Sequence, residues 1–130
     1  MVFLEYDKKQ LLTLSNEESL QIACVRYLRS TNLLFSSNGL AECLDTDEKR
    51  VKSYLLGYKK GIPDLIIFSP NNTYNMLIIE LKTPWGNGEL STDQCKVLEQ
   101  FEKESKAFCC VINSVEVFVE IVQKYINNAL

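Results

Sequence analysis

Residues 76–82 read MLIIELK, an apolar run that ends in a carboxylate and an ammonium two positions apart. Side chains along a β-strand alternate between the two faces of a sheet. The apolar side chains at positions 77, 79 and 81 are therefore expected to anchor one face in the core. Glu80 and Lys82 are expected together on the other face, a placement that an ordinary core strand does not require.

A partner for Glu80 is predicted by the preceding strand. Residues 64–82 are expected to form a hairpin, and if its turn is centred on Asn72, Asp64 lies opposite Glu80 with Cβ atoms ~5 Å apart. Two carboxylates that close repel each other, and burial makes the repulsion worse. A divalent cation between them relieves it, and hard oxygen ligands suit Mg²⁺ or Mn²⁺. The plainer alternative is that Asp64 caps a turn and Glu80 pairs with Lys82 on an exposed edge strand.

Hydrophobic periodicity and capping signals predict the other elements. Ser91 and Gln94 have capping-box spacing at the start of one helix. The segment VEVFVEI, which follows Ser114, favours a helix but is also compatible with a strand. The resulting order α-β-α-β-β-α-β-α predicts an α/β fold, with a mixed central sheet of about four strands flanked by helices, in a single domain spanning residues 1–130. The expected elements are helix 15–30, strand 33–35 closed by a turn at Asn38-Gly39, helix 45–56, strands 65–68 and 76–82, loop 83–90, helix from 91, strand 107–112 and helix from 114.

Composition excludes several classes of chemistry. The chain has no histidine, which removes Ser-His and Cys-His triads and imidazole metal ligands. Its five cysteines are odd in number and irregularly spaced, which favours reduced thiols and an intracellular setting: cytoplasmic, or nuclear or a viral replication site if the source is a eukaryote or its virus. No apolar run approaches the ~20 residues of a membrane span, and the start does not read as a signal peptide.

The segment at residues 49–60, KRVKSYLLGYKK, is basic although the chain carries a net charge of −3. It is either a solvated helix face or a patch that tracks phosphates. Tyr54 is expected to pack. Three roles stay open for Trp85: contact with DNA, contact with a second subunit, or capping of a local apolar cluster. The candidate DNA-binding residues are Lys49, Arg50, Lys52, Tyr58, Lys59 and Lys60.

The segments GIPDLIIF (residues 61–68) and IIELKTPWGNGELSTDQ (residues 78–94) resemble the PD-(D/E)xK nuclease superfamily, and more closely its virus-type replication-repair nuclease (VRR-NUC) domain. Gly61-x-Pro63-Asp64 matches the PD motif, and Glu80-Leu81-Lys82 matches E-x-K. The segment at residues 88–94 matches G-x-L-S-x-x-Q, and ESLQ at residues 18–21 resembles E-x-x-Q of the family's first helix.

This resemblance implies a restriction-endonuclease-like PD-(D/E)xK fold and metal-dependent cleavage of DNA phosphodiesters. It implies that Asp64, Glu80, Lys82 and Gln94 are catalytic, with Lys82 as the catalytic lysine. It also implies that Glu18, Asp64, Glu80 and the Leu81 carbonyl are ligands of Mg²⁺ or Mn²⁺. Two of these residues have simpler explanations: Glu18 suits the first turn of a helix through the helix dipole, and Gln94 completes a capping box.

Stand-alone members of this family resemble structure-specific endonucleases that cut branched DNA as homodimers. A two-fold symmetric four-way (Holliday) junction needs paired active sites, which a C2 dimer supplies. The expected partners are therefore DNA and a second copy of the chain, without a small-molecule cofactor. Three alternatives stay open: a nuclease for flaps, nicked or plain duplex or a restriction-like target, a non-catalytic DNA-binding module, and a protein–protein adaptor consistent with the pI of about 5.0.

Overall fold

A computed structural model describes residues 16–38, 45–82 and 89–130 of the chain. Its element order is the predicted one, and the mixed α/β fold is confirmed. The first residue of the predicted helix 15–30, Gly39, Trp85 and Gly88 of the G-x-L-S-x-x-Q motif lie outside the described residues. In chain order the elements are α1 (Asn16–Arg29), β1 (Phe35–Ser37), α2 (Asp47–Leu55), β2 (Leu65–Ile67), β3 (Met76–Leu81), α3 (Thr92–Ser105), β4 (Ala107–Ile112) and α4 (Val115–Ile126).

The four described strands form one sheet in the order β1-β2-β3-β4. β2 is antiparallel to β1 and to β3, whereas β4 is parallel to β3, with α3 as the crossover between them. Leu65 pairs with Ile79 and Ile67 with Leu77, which is the register predicted for a turn centred on Asn72. The Asn71 side chain stabilises this turn by accepting hydrogen bonds from the backbone N–H groups of Thr73 and Tyr74.

β3 lies inside the sheet and is buried on both faces, which accounts for its nearly continuous apolar run. Leu77, Ile79 and Leu81 contact the cluster formed with α1 and α4, and all three are fully buried. Ile78 points to the opposite face, where it packs against Leu98 of α3. Full burial of one such side chain contributes roughly 1.5–3 kcal/mol, so this strand is firmly held.

The segment that follows Ser114 forms a helix and not a strand. Its buried residues Phe118, Val122 and Tyr125 recur at intervals of three and four, the period of one helical face. The Ser114 hydroxyl accepts a hydrogen bond from Val117 N at 3.2 Å and caps the first turn. None of the helices in the described ranges combines the length and the apolar character that a membrane span needs.

The first strand differs from its predicted position. It spans Phe35–Ser37, not residues 33–35, because pairing with β2 sets its bounds: Phe35 lies opposite Ile67 and Ser37 opposite Leu65. Leu34 is 67% exposed. Its N–H donates to the Ser69 hydroxyl at 2.8 Å instead of to a strand carbonyl. An apolar run alone therefore misplaced this short edge strand.

Candidate active site

The end of β3 carries an acidic side chain into the protein. Glu80 is only 3% exposed, a rare environment for a carboxylate. It lies on the α3 side of the sheet because strand alternation places it on the face of Ile78. Lys82 is the first residue after β3. Its backbone N–H donates to Ile112 O at 2.9 Å, which extends the pairing with β4. The backbone that carries both charged groups is thus fixed by the sheet.

Asp64 immediately precedes β2 and faces the same region. Extending the β2–β3 register by one residue places it opposite Glu80, as predicted. Asp64 Oδ2 accepts a hydrogen bond from Leu81 N at 2.8 Å, so its side chain reaches across to the neighbouring strand. Asn38 supports this segment from β1's side: its N–H donates to Asp64 O at 3.0 Å, and its side chain donates to Ile62 O at 3.3 Å.

Gln94, in the first turn of α3, connects the two charged groups. Its Nε2 donates to Glu80 Oε1 at 3.0 Å. Its Oε1 accepts from Lys82 Nζ at 3.1 Å and from Ser91 N at 2.9 Å. Ser91 completes the capping box by accepting a hydrogen bond from Gln94 N. Gln94 therefore caps the helix and holds Glu80 and Lys82 at the same time, so the two interpretations of its sequence motif are compatible.

The electrostatics of this site disfavour a negative charge on Glu80. Burial, then the charge of Asp64 and a hydrogen bond with its carboxyl group, raise the pKa of Glu80 to about 8, and the Lys82 ammonium acts in the opposite direction. Among the described residues, no group donates a hydrogen bond to the buried Glu80 Oε2, and the bond with the Asp64 carboxyl group exists only while the pair shares a proton. Such an orphaned carboxylate oxygen is costly in a folded protein unless something binds it.

A divalent cation fits this arrangement. Asp64 and Glu80 offer hard carboxylate oxygens, the ligands that Mg²⁺ and Mn²⁺ prefer, and the orphaned Oε2 lacks the positive partner that a cation would supply. A cation would also offset the repulsion that contributes to the raised pKa of Glu80. The Leu81 carbonyl stays a prediction as an additional ligand.

Glu18 is not brought into the same cluster. It is an exposed residue of α1, in an open groove that also contains Arg26 and Arg29. Across residues 16–38, 45–82 and 89–130, no three histidine, cysteine or acidic side chains lie close enough together to hold a metal ion. The acidic pair at the centre of the site is thus Asp64 with Glu80, and a ligand role of Glu18 stays a prediction.

Some of the basic residues before Asp64 form ion pairs with acidic residues that lie just before them in the chain. Lys49 pairs with Asp45 and Arg50 with Asp47, each at 2.8 Å on the exposed surface. The spacing of these acids, three and four residues upstream, is the sequence signal for such helical pairs. Of the other candidates, Lys52 and Lys59 are exposed and Tyr58 is half-buried. Lys60 is exposed and pairs with Asp93 at 3.7 Å.

Tyr54 does not pack as predicted, because it is 75% exposed on α2. The helix contributes no buried residue, so its tyrosine has no core to join. Asn38, in contrast, supports the Asp64 backbone although it was not among the predicted site residues. Its contacts join residues 24 or more positions apart in the chain, and no local pattern signals them.

Cys109 and Cys110 are poor candidates for thiol chemistry. Burial raises the pKa of Cys109 to about 12, with a smaller effect of Glu102, and burial beside Cys109 does the same for Cys110. A thiol with such a pKa is protonated at neutral pH and is a poor nucleophile. The carboxylates, the lysine and the glutamine at the end of β3 are therefore the stronger candidates for chemistry.

Comparison with known proteins agrees with the fold and with the motifs. A model of the VRR-NUC domain matches residues 10–120. Among solved structures, a VRR_NUC domain protein superposes with a TM-score of 0.67 over 85% of this chain and 88% of that one. The two sequences are 23% identical, so the likeness concerns the fold alone. No curated protein sequence matches the chain significantly.

Proposed function

Because this chain belongs to the VRR-NUC domain family, a family of nuclease domains, we propose that it is a Mg²⁺- or Mn²⁺-dependent DNA endonuclease. Its substrate class is branched DNA, with four-way junctions as the leading member. The family membership supports the nuclease activity, and the chemistry of the Asp64, Glu80 and Lys82 side chains supports the metal dependence.

One observation carries this proposal: a buried carboxylate that the fold leaves unsatisfied. Glu80 is 3% exposed, and no group among the described residues donates a hydrogen bond to its Oε2. A structural role would not need this arrangement, because an uncharged side chain in the same place would avoid the cost of burial. Buried groups with strongly raised pKa values cluster at functional sites.

The residues divide the work according to their chemistry. Asp64 and Glu80 would hold the cation through carboxylate oxygens. When bound, the cation supplies neutralising charge for the phosphodiester and lowers the pKa of the attacking water. Lys82 Nζ, which Gln94 holds at 3.1 Å, presents a positive charge beside the carboxylates, where it orients the water and offsets charge that grows on the phosphate. Gln94 fixes the positions of the Lys82 and Glu80 side chains relative to each other.

The preference for four-way junctions requires two active sites related by a two-fold axis. A homodimer supplies them, since each subunit then cuts one of two symmetry-related strands. We therefore propose a homodimer as the working form. Sedimentation velocity of the purified protein, with and without DNA, measures this assembly directly.

The experiment that tests the function incubates the purified protein with labelled four-way junction, flap and plain duplex DNA. Each substrate is tested with Mg²⁺, with Mn²⁺ and with EDTA. The expected result is cleavage only with a divalent cation and fastest on the junction. Faster cleavage of flaps or duplex would support the nuclease activity but contradict the proposed preference for four-way junctions.

Absence of metal-dependent cleavage on every substrate would contradict the enzymatic proposal. Salt dependence then distinguishes the two remaining alternatives. A DNA-binding module loses affinity steeply as salt rises because it releases counterions, whereas a protein–protein adaptor shows no such DNA binding.

A further inference from the structure

Gly61 makes an unusually close backbone contact with the helix that carries Gln94. A Cβ atom at Gly61 would lie 2.7 Å from Asp93 C, 2.8 Å from Asp93 O and 3.0 Å from Gln94 N. These are main-chain atoms of the first turn of α3, so a flexible side chain cannot yield to make room. Gly61 also has φ of +91°, a conformation that L side chains rarely adopt.

This contact joins the two halves of the candidate site. Gly61 lies three residues before Asp64, and buried Pro63 restricts the chain between them. On the other side of the contact, Gln94 N is held by the Ser91 hydroxyl, and the Gln94 side chain bonds to Lys82 and Glu80. The separation between the Asp64 segment and α3 therefore depends on how closely Gly61 approaches the helix.

We propose that Gly61 is a positioning residue: its lack of a Cβ lets α3 approach the Asp64 segment closely enough for Gln94 to bridge Lys82 and Glu80. A side chain at this position pushes the first turn of α3 outward by several tenths of an ångström. The hydrogen bonds of Gln94 at 3.0 and 3.1 Å then lengthen or break. This inference rests on the proposed function for its kinetic consequence, although its structural consequence is independent of activity.

The chain supplies a matched control in Gly57. Gly57 also has a positive φ, +101°, but a Cβ built there meets no atom within 4 Å. Gly57→Ala therefore introduces the backbone strain without the collision, whereas Gly61→Ala introduces both. The difference between the two variants isolates the contact with α3.

The first measurement is the ¹⁵N–¹H spectrum of the Gln94 side-chain amide in metal-free protein, assigned by its loss in Gln94→Met. In wild type and Gly57→Ala, the amide is expected at a shifted, hydrogen-bonded position. In Gly61→Ala it is expected to move to the position of an exposed glutamine. An unchanged Gln94 signal in Gly61→Ala, or the same movement in Gly57→Ala, overturns the proposal.

The second measurement is single-turnover cleavage of four-way junction DNA with Mg²⁺, together with the affinity for the same DNA. Gly61→Ala is expected to cleave more slowly by up to about 10- to 100-fold, the loss expected when the Gln94 bonds to charged groups are removed. Its DNA affinity is expected to stay close to wild type, and Gly57→Ala is expected to retain both. A wild-type rate in Gly61→Ala contradicts the positioning role. If wild type itself does not cleave, the proposed function fails while the spectrum still decides the role of Gly61.

Folding of Gly61→Ala is checked by circular dichroism, and the osmolyte TMAO is added where the variant is unfolded, because TMAO favours compact states. A variant that folds in TMAO is carried through both measurements beside wild type in the same buffer. A variant that stays unfolded in TMAO shows that Gly61 determines folding and overturns the positioning role.

Discussion

Gln94 Oε1 accepts a hydrogen bond from Lys82 Nζ at 3.1 Å while its Nε2 donates to Glu80 at 3.0 Å. One amide thus fixes the distance between the ammonium and the buried carboxylate. The bond to the Lys82 ammonium, and the bond to Glu80 when that carboxyl group is ionised, each contribute more than a neutral hydrogen bond does, about 1.5–3 kcal/mol. The same residue caps α3, so the helix and the site are stabilised by one set of contacts.

Replacing Gln94 with methionine keeps most of its volume and removes both bonds. We expect Gln94→Met to lower the single-turnover cleavage rate by about 10- to 100-fold, the kinetic equivalent of losing one such bond to a charged group. Ser91→Ala is the control, since it removes one capping bond and leaves the Gln94 side-chain contacts. It is expected to cost about 1 kcal/mol of stability with a rate near wild type. Equal rate losses in the two variants would assign Gln94 to helix capping alone.

Removing one carboxylate of the pair tests the cation site. Wild type is expected to show a higher Tm when Mn²⁺ is added, because a ligand at 100 times its Kd stabilises a fold by ~2.7 kcal/mol. Asp64→Asn is expected to lose most of this increase, since only Glu80 of the pair remains charged. Asp93→Asn, a change on α3 outside the pair, should keep it. A full Mn²⁺ effect in Asp64→Asn would show that the cation binds elsewhere.

The pKa of Glu80 predicts how the stability of the metal-free protein depends on pH. The folded state raises this pKa from 4.5 to about 8, so between these values the unfolded chain has lost the proton while the folded protein retains it. The contribution of Glu80 to the free energy of unfolding therefore falls as pH rises through this window, by at most about 1.4 kcal/mol per pH unit, and levels off above about 8.

The measurement compares wild type with Glu80→Gln by urea unfolding in EDTA from pH 4.5 to 8.5. The glutamine keeps the shape and the acceptor for Gln94 but cannot ionise. The variant is expected to be the more stable protein at pH 8, by a few kcal/mol, and the difference is expected to vanish near pH 4.5. Parallel stability curves would contradict the raised pKa.

The exposed basic residues before Asp64 predict a salt-dependent component of DNA binding. If Lys59 contacts a phosphate, Lys59→Gln lowers the affinity and reduces the slope of log affinity against log salt by about 1. Lys124→Gln is the control, because Lys124 lies on α4 and pairs with Glu120. Titrations at several salt concentrations measure both slopes. Equal slopes in all three proteins would remove Lys59 from the DNA surface.

Strand alternation and the hairpin turn were sufficient to predict how the residues at the ends of β2 and β3 come together. The period of two residues assigns Glu80 and Lys82 to one face, and the turn at Asn72 brings Asp64 opposite Glu80. These are local rules acting on adjacent strands, which is why the sequence carries them. The capping box likewise placed Gln94 at the start of α3.

Features that depend on distant parts of the chain were not predictable in the same way. The bounds of β1 follow from its pairing with β2, and the support of Asp64 by Asn38 joins separate segments. The collision that a Cβ at Gly61 would meet involves a helix more than thirty residues later. The pairing of Lys49 with Asp45, in contrast, follows from their helical spacing of four residues, which is a local signal in the sequence.

The most direct test of the whole account is single-turnover cleavage of four-way junction DNA in Mg²⁺ by Lys82→Ala. The control is Lys124→Ala, which removes an exposed lysine from α4. The account predicts a loss of about 100-fold or more in the cleavage rate of Lys82→Ala, without loss of folding or of DNA binding, and a wild-type rate for Lys124→Ala. A Lys82→Ala protein that cuts as fast as wild type would contradict it.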